Sequence, residues 1–505
     1  TLGAITDAAE AFRLKAFSLS NQATRYKFAT KIRDVTDKIA LQARANQGAL
    51  SNDPTRLSII QELVSRGQMA VNPPSGIAHD LAKAGTQFAF LQTLGFNVSS
   101  GIVEMASIPV VAQPYLSGIY GFKKTSNAIY DAYKLFFNSG FSRELSLMTE
   151  YAGSDTVKMG ASPSMDNYFV LKTVGGKPVY ALRDNLKIPD KLKAKLQDML
   201  PFVKLMADTG NLNRSAIYDT IGIEAGGVTT SYLQKVAKGV GYLQHMSGRS
   251  NRQVTAMAGY MLELERMRTS PTASEKGMTD AEKQDAAGKK ALYMTTDING
   301  SHSLATGPRY SQTALGRLIM MYKNYGLHMA TLQGKLAIQV VRGLYPEATP
   351  ADIAMRKTAF KQLMGMQLSS AMFAGISGVP IYGLIKSIWA IWNKLLGDDI
   401  NDPDTITRQY IGDTAFRGPI TDLLGLNISS RVGLNDLLIR DNPYLTNASA
   451  ADIFMGYAGG PVWSTGTQLV RGMGEIGSAL TGGMGNFERG VETIMPAGLV
   501  GPLKT

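Results

Sequence analysis

The 505-residue chain contains no cysteine. Disulfides, thiolate metal sites and cysteine nucleophiles are excluded together. The redox compartment stays open, because a chain that crosses compartments gains from having no thiols. Histidine is scarce as well. His79, His245, His302 and His328 stand far apart, none at metal-ligand spacing from another. The His-Glu-x-x-His, Gly-x-Ser-x-Gly and P-loop patterns are also missing. No catalytic, cofactor-binding or metal-ligating residues are therefore expected, and no cofactor. Charge is modest, with 18% of residues charged and a mean hydropathy of −0.05, which excludes a multi-pass membrane protein. Thr1 to Glu10 lacks the basic and apolar regions of a secretory signal. With Thr at residue one, a processed product or a segment of a longer polypeptide is expected.

Acids are nearly missing from the centre of the chain. Between Ile298 and Gly397 there are ten Lys/Arg but only Glu347 and Asp352, so this window holds about +8 of the formal charge of +12. Inside it, Gln362 to Ile385 is 24 residues long without a charge. As a helix, such a span reaches across roughly 30 Å of hydrocarbon. It is bracketed by Arg356, Lys357 and Lys361 on one side and by Lys386 and Lys394 on the other. Trp389 and Trp392 follow it, an arrangement typical of a membrane interface. Against a spanning helix stand Gly365, Gly375, Gly378, Pro380 and Gly383, which also suit a buried helical hairpin. Upstream, Ser311 to Arg342 forms a long helix candidate with Arg317, Lys323, Lys335 and Arg342, no acid, and Tyr322 and Tyr325 alongside. Such a helix pairs with phosphates while its rings stack on bases, lies on an anionic bilayer, or simply presents a solvated basic face. Together these eleven Lys, Arg and Trp residues are the expected membrane or DNA contacts.

The hydrophobic period points to a mostly α fold, an elongated multi-helix assembly. One β-hairpin is expected near 168–182, and a Gly-rich irregular region at the C-terminal end. Phe28, Ile32, Val35 and Ile39 share one helix face. Asp53-Pro54 opens a second helix, Gly67 is placed to end it, and Asn72 to Gly76 is a break. These fill an N-terminal helical region, 1–83. The next region, 84–165, opens on a stretch with one charge, Glu104, from Ala84 to Phe122. Pro109 and Pro114 favour short buried helices there over a membrane span. Region 166–268 joins the hairpin, turning at Gly175-Gly176, to a helix from Pro189-Asp190 with Leu192, Leu196, Met199 and Val203 inward. A helical pair broken near Gly248 completes it. Residues 269–297 are polar and poor in large apolar side chains, a linker or mobile loop. The basic centre, 298–400, and the Gly-rich region, 401–505, follow.

Gly472-x-Gly474-x-x-Gly477 matches a dinucleotide-binding fingerprint on paper, but no strand-rich βαβ context surrounds it, so close packing or turns explain it better. Glu104 is isolated in apolar sequence, where a carboxyl has a raised pKa if buried; it serves equally well as a helix cap or a water-facing group.

Two segments carry a resemblance. One is Leu94-Gly-Phe-Asn-Val-Ser-Ser-Gly-Ile-Val-Glu-Met-Ala-Ser-Ile-Pro-Val-Val-Ala-Gln-Pro-Tyr-Leu-Ser-Gly-Ile-Tyr-Gly121, and the other is Phe416-Arg-Gly-Pro-Ile-Thr-Asp-Leu-Leu-Gly-Leu-Asn-Ile-Ser-Ser-Arg-Val-Gly433. Both resemble recurring segments of the large internal virion (DNA-ejection) proteins of tailed, chiefly short-tailed, bacteriophages, and of related polyvalent phage proteins. The similarity runs from about Ala49 to Val470. It implies a structural protein packed in the virion interior, ejected with the genome, and helping to form a conduit across the host cell envelope. The implied partners are further copies of itself in a ring or tube, other internal virion proteins, portal or tail proteins, phage DNA and the host membrane. Relatives carry a peptidoglycan hydrolase or virion RNA polymerase elsewhere in a giant chain, and neither signature is present here. Two alternatives stay open: an enzyme-bearing region of a polyvalent protein, and a DNA-organising capsid core protein without membrane contact.

Overall fold

The computed structural model describes residues 54–71, 76–93, 104–139, 164–174, 177–183, 189–209, 242–300, 323–379 and 403–419, most of 467–494, and shorter stretches elsewhere. Within them the chain is mostly helical, with one two-stranded sheet. α1 (Pro54–Val71) starts on the proline that the sequence marks and continues through Gly67 to the Asn72-Pro73-Pro74 break. α2 (Ile77–Thr93) follows. A short π-helical turn, Ile108–Ala112, leads into α3 (Gln113–Tyr120). Gly121 at φ 89° then reverses the chain into α4 (Phe122–Asn138). The described part of the stretch with one charge is therefore helical and lines a core, with Ile108, Val110, Val111, Tyr115 and Leu116 buried.

The hairpin pairs β1 (Phe169–Val174) with β2 (Lys177–Leu182), antiparallel and in a register that matches Val174 with Lys177. Gly175 and Gly176 lie outside the described residues. α5 (Asp190–Asp198) and α6 (Leu200–Asp208) split at Met199, because Pro201 has no N–H to continue the first helix. Leu192, Leu196, Met199 and Val203 all point inward.

α7 (Tyr242–Thr269) is the axis of the fold. It runs unbroken through Gly248, where a break between two helices is expected from sequence, because buried neighbours enclose nearly its whole length and hold Gly248 helical. Val254, Met257, Tyr260, Leu262 and Leu264 join one core with residues of α4, α5 and α6. Phe202 stacks on Tyr260 with ring centroids 4.6 Å apart.

α8 (Asp280–Asn299) replaces the linker expected over 269–297. Thr279 and Glu282 form a reciprocal capping box at its start, and Gly300 at φ 69° ends it. Its inward face is Ala287, Gly288, Ala291 and Met294. These small residues allow a close crossing: a Cβ on Gly259 of α7 would come within 3.3 Å of the Met294 methyl, and one on Gly288 within 3.1 Å of Leu205.

α9 (Lys323–Arg342) and α10 (Pro350–Ala374) form an antiparallel pair. Thr349 and Asp352 make a second capping box, with Pro350 in the first turn. α10 stops at Gly375, φ 64°, and Val379 is extended. The uncharged span 362–385 is thus no continuous membrane-crossing helix. Its first half is the end of α10, and the glycine that terminates it meets the end of α12 (Asp413–Arg417), the helix after α11 (Pro403–Ile411). Residues 403–408 belong to α11. In the Gly-rich region, residues 470–480 and Phe487–Ile494 are helical. Gly472, Gly474 and Gly477 therefore sit inside a helix and not in a strand-to-helix turn.

Gly375 and Gly418 (φ 92°) meet backbone to backbone. A Cβ on Gly375 would lie 2.2 Å from the Phe416 carbonyl oxygen, and one on Gly418 2.5 Å from the Gly375 nitrogen. Because the obstacles are main chain and both residues have positive φ, no rotamer change relieves the clash. Gly375→Ala should cost about 2 kcal/mol or more, read as a lowered urea midpoint. Wild-type stability in this variant would show that the two turns are not in contact.

Candidate interaction surface

The α9–α10 pair carries the described part of the basic centre, and most of its cations have partners. Lys335 Nζ lies 2.7 Å from Asp297 Oδ2 and donates to Tyr293 Oη at 3.0 Å. Burial works against its charge, but these bonds outweigh burial and hold its pKa above the ordinary lysine value. Tyr115 Oη donates to the same Asp297 oxygen at 3.0 Å, and His328 Nε2 lies 3.0 Å from the Asp297 carbonyl. Burial depresses the His328 pKa despite that contact. Arg342 Nε approaches Asp352 Oδ1 at 3.4 Å, and Arg356 donates to the Gly343 carbonyl at 3.1 Å, tying the two helix ends together. Hydrogen bonds from the side chain and backbone of Thr349 keep the Asp352 carboxyl below its usual pKa.

Lys357 and Lys361 differ: both are exposed on α10. Lys323 is the first residue of α9. Arg317, Lys386, Trp389, Trp392 and Lys394 lie outside the described residues, as does Tyr322. The structure thus separates the expected contacts into cations tied to neighbouring groups (Lys335, Arg342 and Arg356) and the outward cations Lys357 and Lys361. Sequence spacing alone does not make that distinction.

α10 is held in place by close approach. Gly365 rests on Pro114, where a Cβ would lie 3.0 Å from the proline ring, and Gly118 faces Gln362 at 2.4 Å by the same measure. Gln362 Nε2 donates to the Tyr115 carbonyl at 3.0 Å, and Gln367 donates to Gln333 of α9 at 3.2 Å. Phe416 and Gly418 meet the end of the helix at Gly375. Both segments that carry the resemblance, Leu94–Gly121 and Phe416–Gly433, therefore contribute residues that grip α10.

A second polar cluster lies inside, around α7. Asn251 donates to the Glu104 carbonyl, Arg252 to the Gly300 carbonyl at 2.7 Å, and Gln253 to Ser164 Oγ at 2.9 Å and the Leu212 carbonyl at 2.6 Å. Gln253 Oε1 also accepts from the Met165 N–H at 2.8 Å. Glu104 keeps a narrow exposure but lies deep among protein atoms. That burial pushes its carboxyl up to about 8, with the Arg252 charge pulling the other way. Among the described residues no group of three His, Asp or Glu is placed to hold a metal ion.

No protein family, curated protein or solved structure matches this chain.

Glu104 yields a test with a definite sign. Its folded pKa, about 8, stands above the ordinary 4.5, so the native state binds this proton more tightly than the unfolded state does. The stability it contributes is full below about 4.5 and is lost as pH rises through about 8. Compared with Glu104→Gln, which cannot titrate, wild-type unfolding free energy should fall by up to about 1.4 kcal/mol per pH unit inside that window. Parallel stability-versus-pH curves for the two proteins would show that the carboxyl is solvated.

Proposed function

We propose that the chain is a structural segment of a phage internal virion protein, leaving the virion with the genome and helping to line a conduit across the host envelope. The observation that carries this reading is the shared target of the two resembling segments. They lie about 300 residues apart in sequence, yet both close on α10, the helix at the heart of the basic centre. Segments kept for separate tasks have no reason to converge on one helix; segments of one assembly module do. The absence of cysteine adds support, since a chain that unfolds, passes a narrow channel and refolds is hindered by disulfides. The role is structural rather than enzymatic, with copies of the chain, portal or tail components, phage DNA and the host membrane as partners. Copies arranged around a lumen call for closed rotational symmetry.

Proteomics of a phage lysate gives the test. Peptides of this sequence should be found in purified virions, and in the host envelope fraction shortly after infection. Absence from virions would remove the reading. Presence in virions with retention in emptied capsids would select the DNA-organising core protein instead, and that protein should bind DNA in a salt-sensitive way without leaving the particle.

A further inference from the structure

α10 has its polarity reversed. Its buried positions are Asp352, Ala359, Gln362, Met366, Ser370 and Ala374, half of them polar. Its outward positions include Ile353, Phe360, Met364, Leu368 and Met372, between 39% and 61% exposed. At about 100° per residue these five fall in one arc of roughly 120°, and Lys357 and Lys361 fall in the same arc. No acid occurs between Ile353 and Ala374. A helix on the surface of a soluble protein places such residues the other way round. Nor is α10 free to roll and bury them. Its rotation is set by Gly365 against Pro114, by Gln362 on the Tyr115 carbonyl and by the Gly375–Gly418 joint.

We infer that this face of α10 docks in the plane of an anionic lipid surface. The Phe360, Met364, Leu368 and Met372 side chains enter the acyl boundary, and Lys357 and Lys361 meet lipid phosphates. Three features on the face favour this occupant. Cations without acids complement an anionic surface. The same face on a second copy would bring like charges together, and nucleic acid would use the cations but leave the aliphatic stripe exposed. The attachment is in-plane because, among the described residues, no helix is long and apolar enough to cross a membrane. This deepens the envelope-contact part of the reading above, but vesicle binding does not depend on virion location, so either can fail alone.

The test uses the whole chain with vesicles of phosphatidylglycerol plus phosphatidylcholine, or of phosphatidylcholine alone. Wild-type protein should bind the mixed vesicles and bind the neutral ones less. The triple variant Phe360→Gln, Met364→Gln, Leu368→Gln should lose about a hundred-fold in affinity for the mixed vesicles, with an unchanged unfolding midpoint because the positions are exposed. The pair Lys357→Gln, Lys361→Gln should lose mainly the preference for anionic lipid. Should the triple variant misfold, Leu368→Cys decides alone, since the absence of other cysteines makes a thiol-reactive fluorophore site-specific. Its emission should shift to the blue when mixed vesicles are added. Full vesicle binding by a folded triple variant, or an unshifted dye on bound protein, overturns the proposal. So does wild-type protein that binds no vesicles. A dye shift that follows protein concentration without lipid assigns the face to a second copy, and one that follows added DNA assigns it to nucleic acid; both overturn the lipid proposal.

Discussion

Asn251, Arg252 and Gln253 are consecutive on α7, so their side chains leave the helix about 100° apart and cannot share a partner. All three are buried, and a buried polar group without a hydrogen bond costs about 1–3 kcal/mol. Each is therefore tied to a different piece of main chain. Asn251 holds the carbonyl of Glu104, Arg252 the carbonyl that follows α8, and Gln253 the segments at Ser164–Met165 and Leu212. The rest of the described fold is arranged around these ties. They fix where the turn before α3 begins, where α8 ends and where the hairpin enters. Apolar packing between α4, α6 and α7 supplies most of the cohesion, but it is non-directional and would tolerate a slip of one turn; the three polar side chains would not.

The same need for internal satisfaction explains the shape of the α8 crossing. Arg252 reaches the end of α8 only if the two helices lie close, and Gly259 against Ala291 makes that approach possible. Close approach leaves little room for large side chains. A run poor in Leu, Ile and Phe is what a tightly crossed helix looks like in sequence, and it is also what a linker looks like. That is why residues 269–297 read as a connector. The capping box Thr279–Glu282 was available to settle the matter, since a reciprocal N-terminal cap has no use in a loop.

Other elements were legible because their signals are local. The Asp53-Pro54 start, the alternating runs around Gly175-Gly176 and the inward set Leu192, Leu196, Met199 and Val203 follow from residue spacing alone. For Glu104, isolation in apolar sequence pointed to a raised pKa, and the depth of surrounding protein decides between that and a capping role. The basic centre was less legible. Composition counts Lys335, Arg342 and Arg356 equally with Lys357 and Lys361, whereas the first three are engaged with Asp297, Asp352 and the Gly343 carbonyl. An uncharged run likewise records what a helix contains but not which side faces water. Gln362 to Ile385 reads as one apolar object until Gly375 is seen at φ 64°, with another backbone pressed against it.

Glycine contacts and reversed polarity have a common consequence at α10. Contacts made through glycine and main chain, at Gly118, Gly365, Gly375 and Gly418, fix the helix by shape, while Leu363, Met366 and Phe373 pack its inner side on the core. Side chains freed from the task of packing can then face outward without loss of attachment, which is how Phe360, Met364, Leu368 and Met372 come to lie exposed on a firmly seated helix. A helix that needed every large apolar residue for its seating would have none left to present. Here glycine contacts and Gln362 share the seating with Leu363, Met366 and Phe373 on the opposite side, and the outward apolar face is available for a second environment.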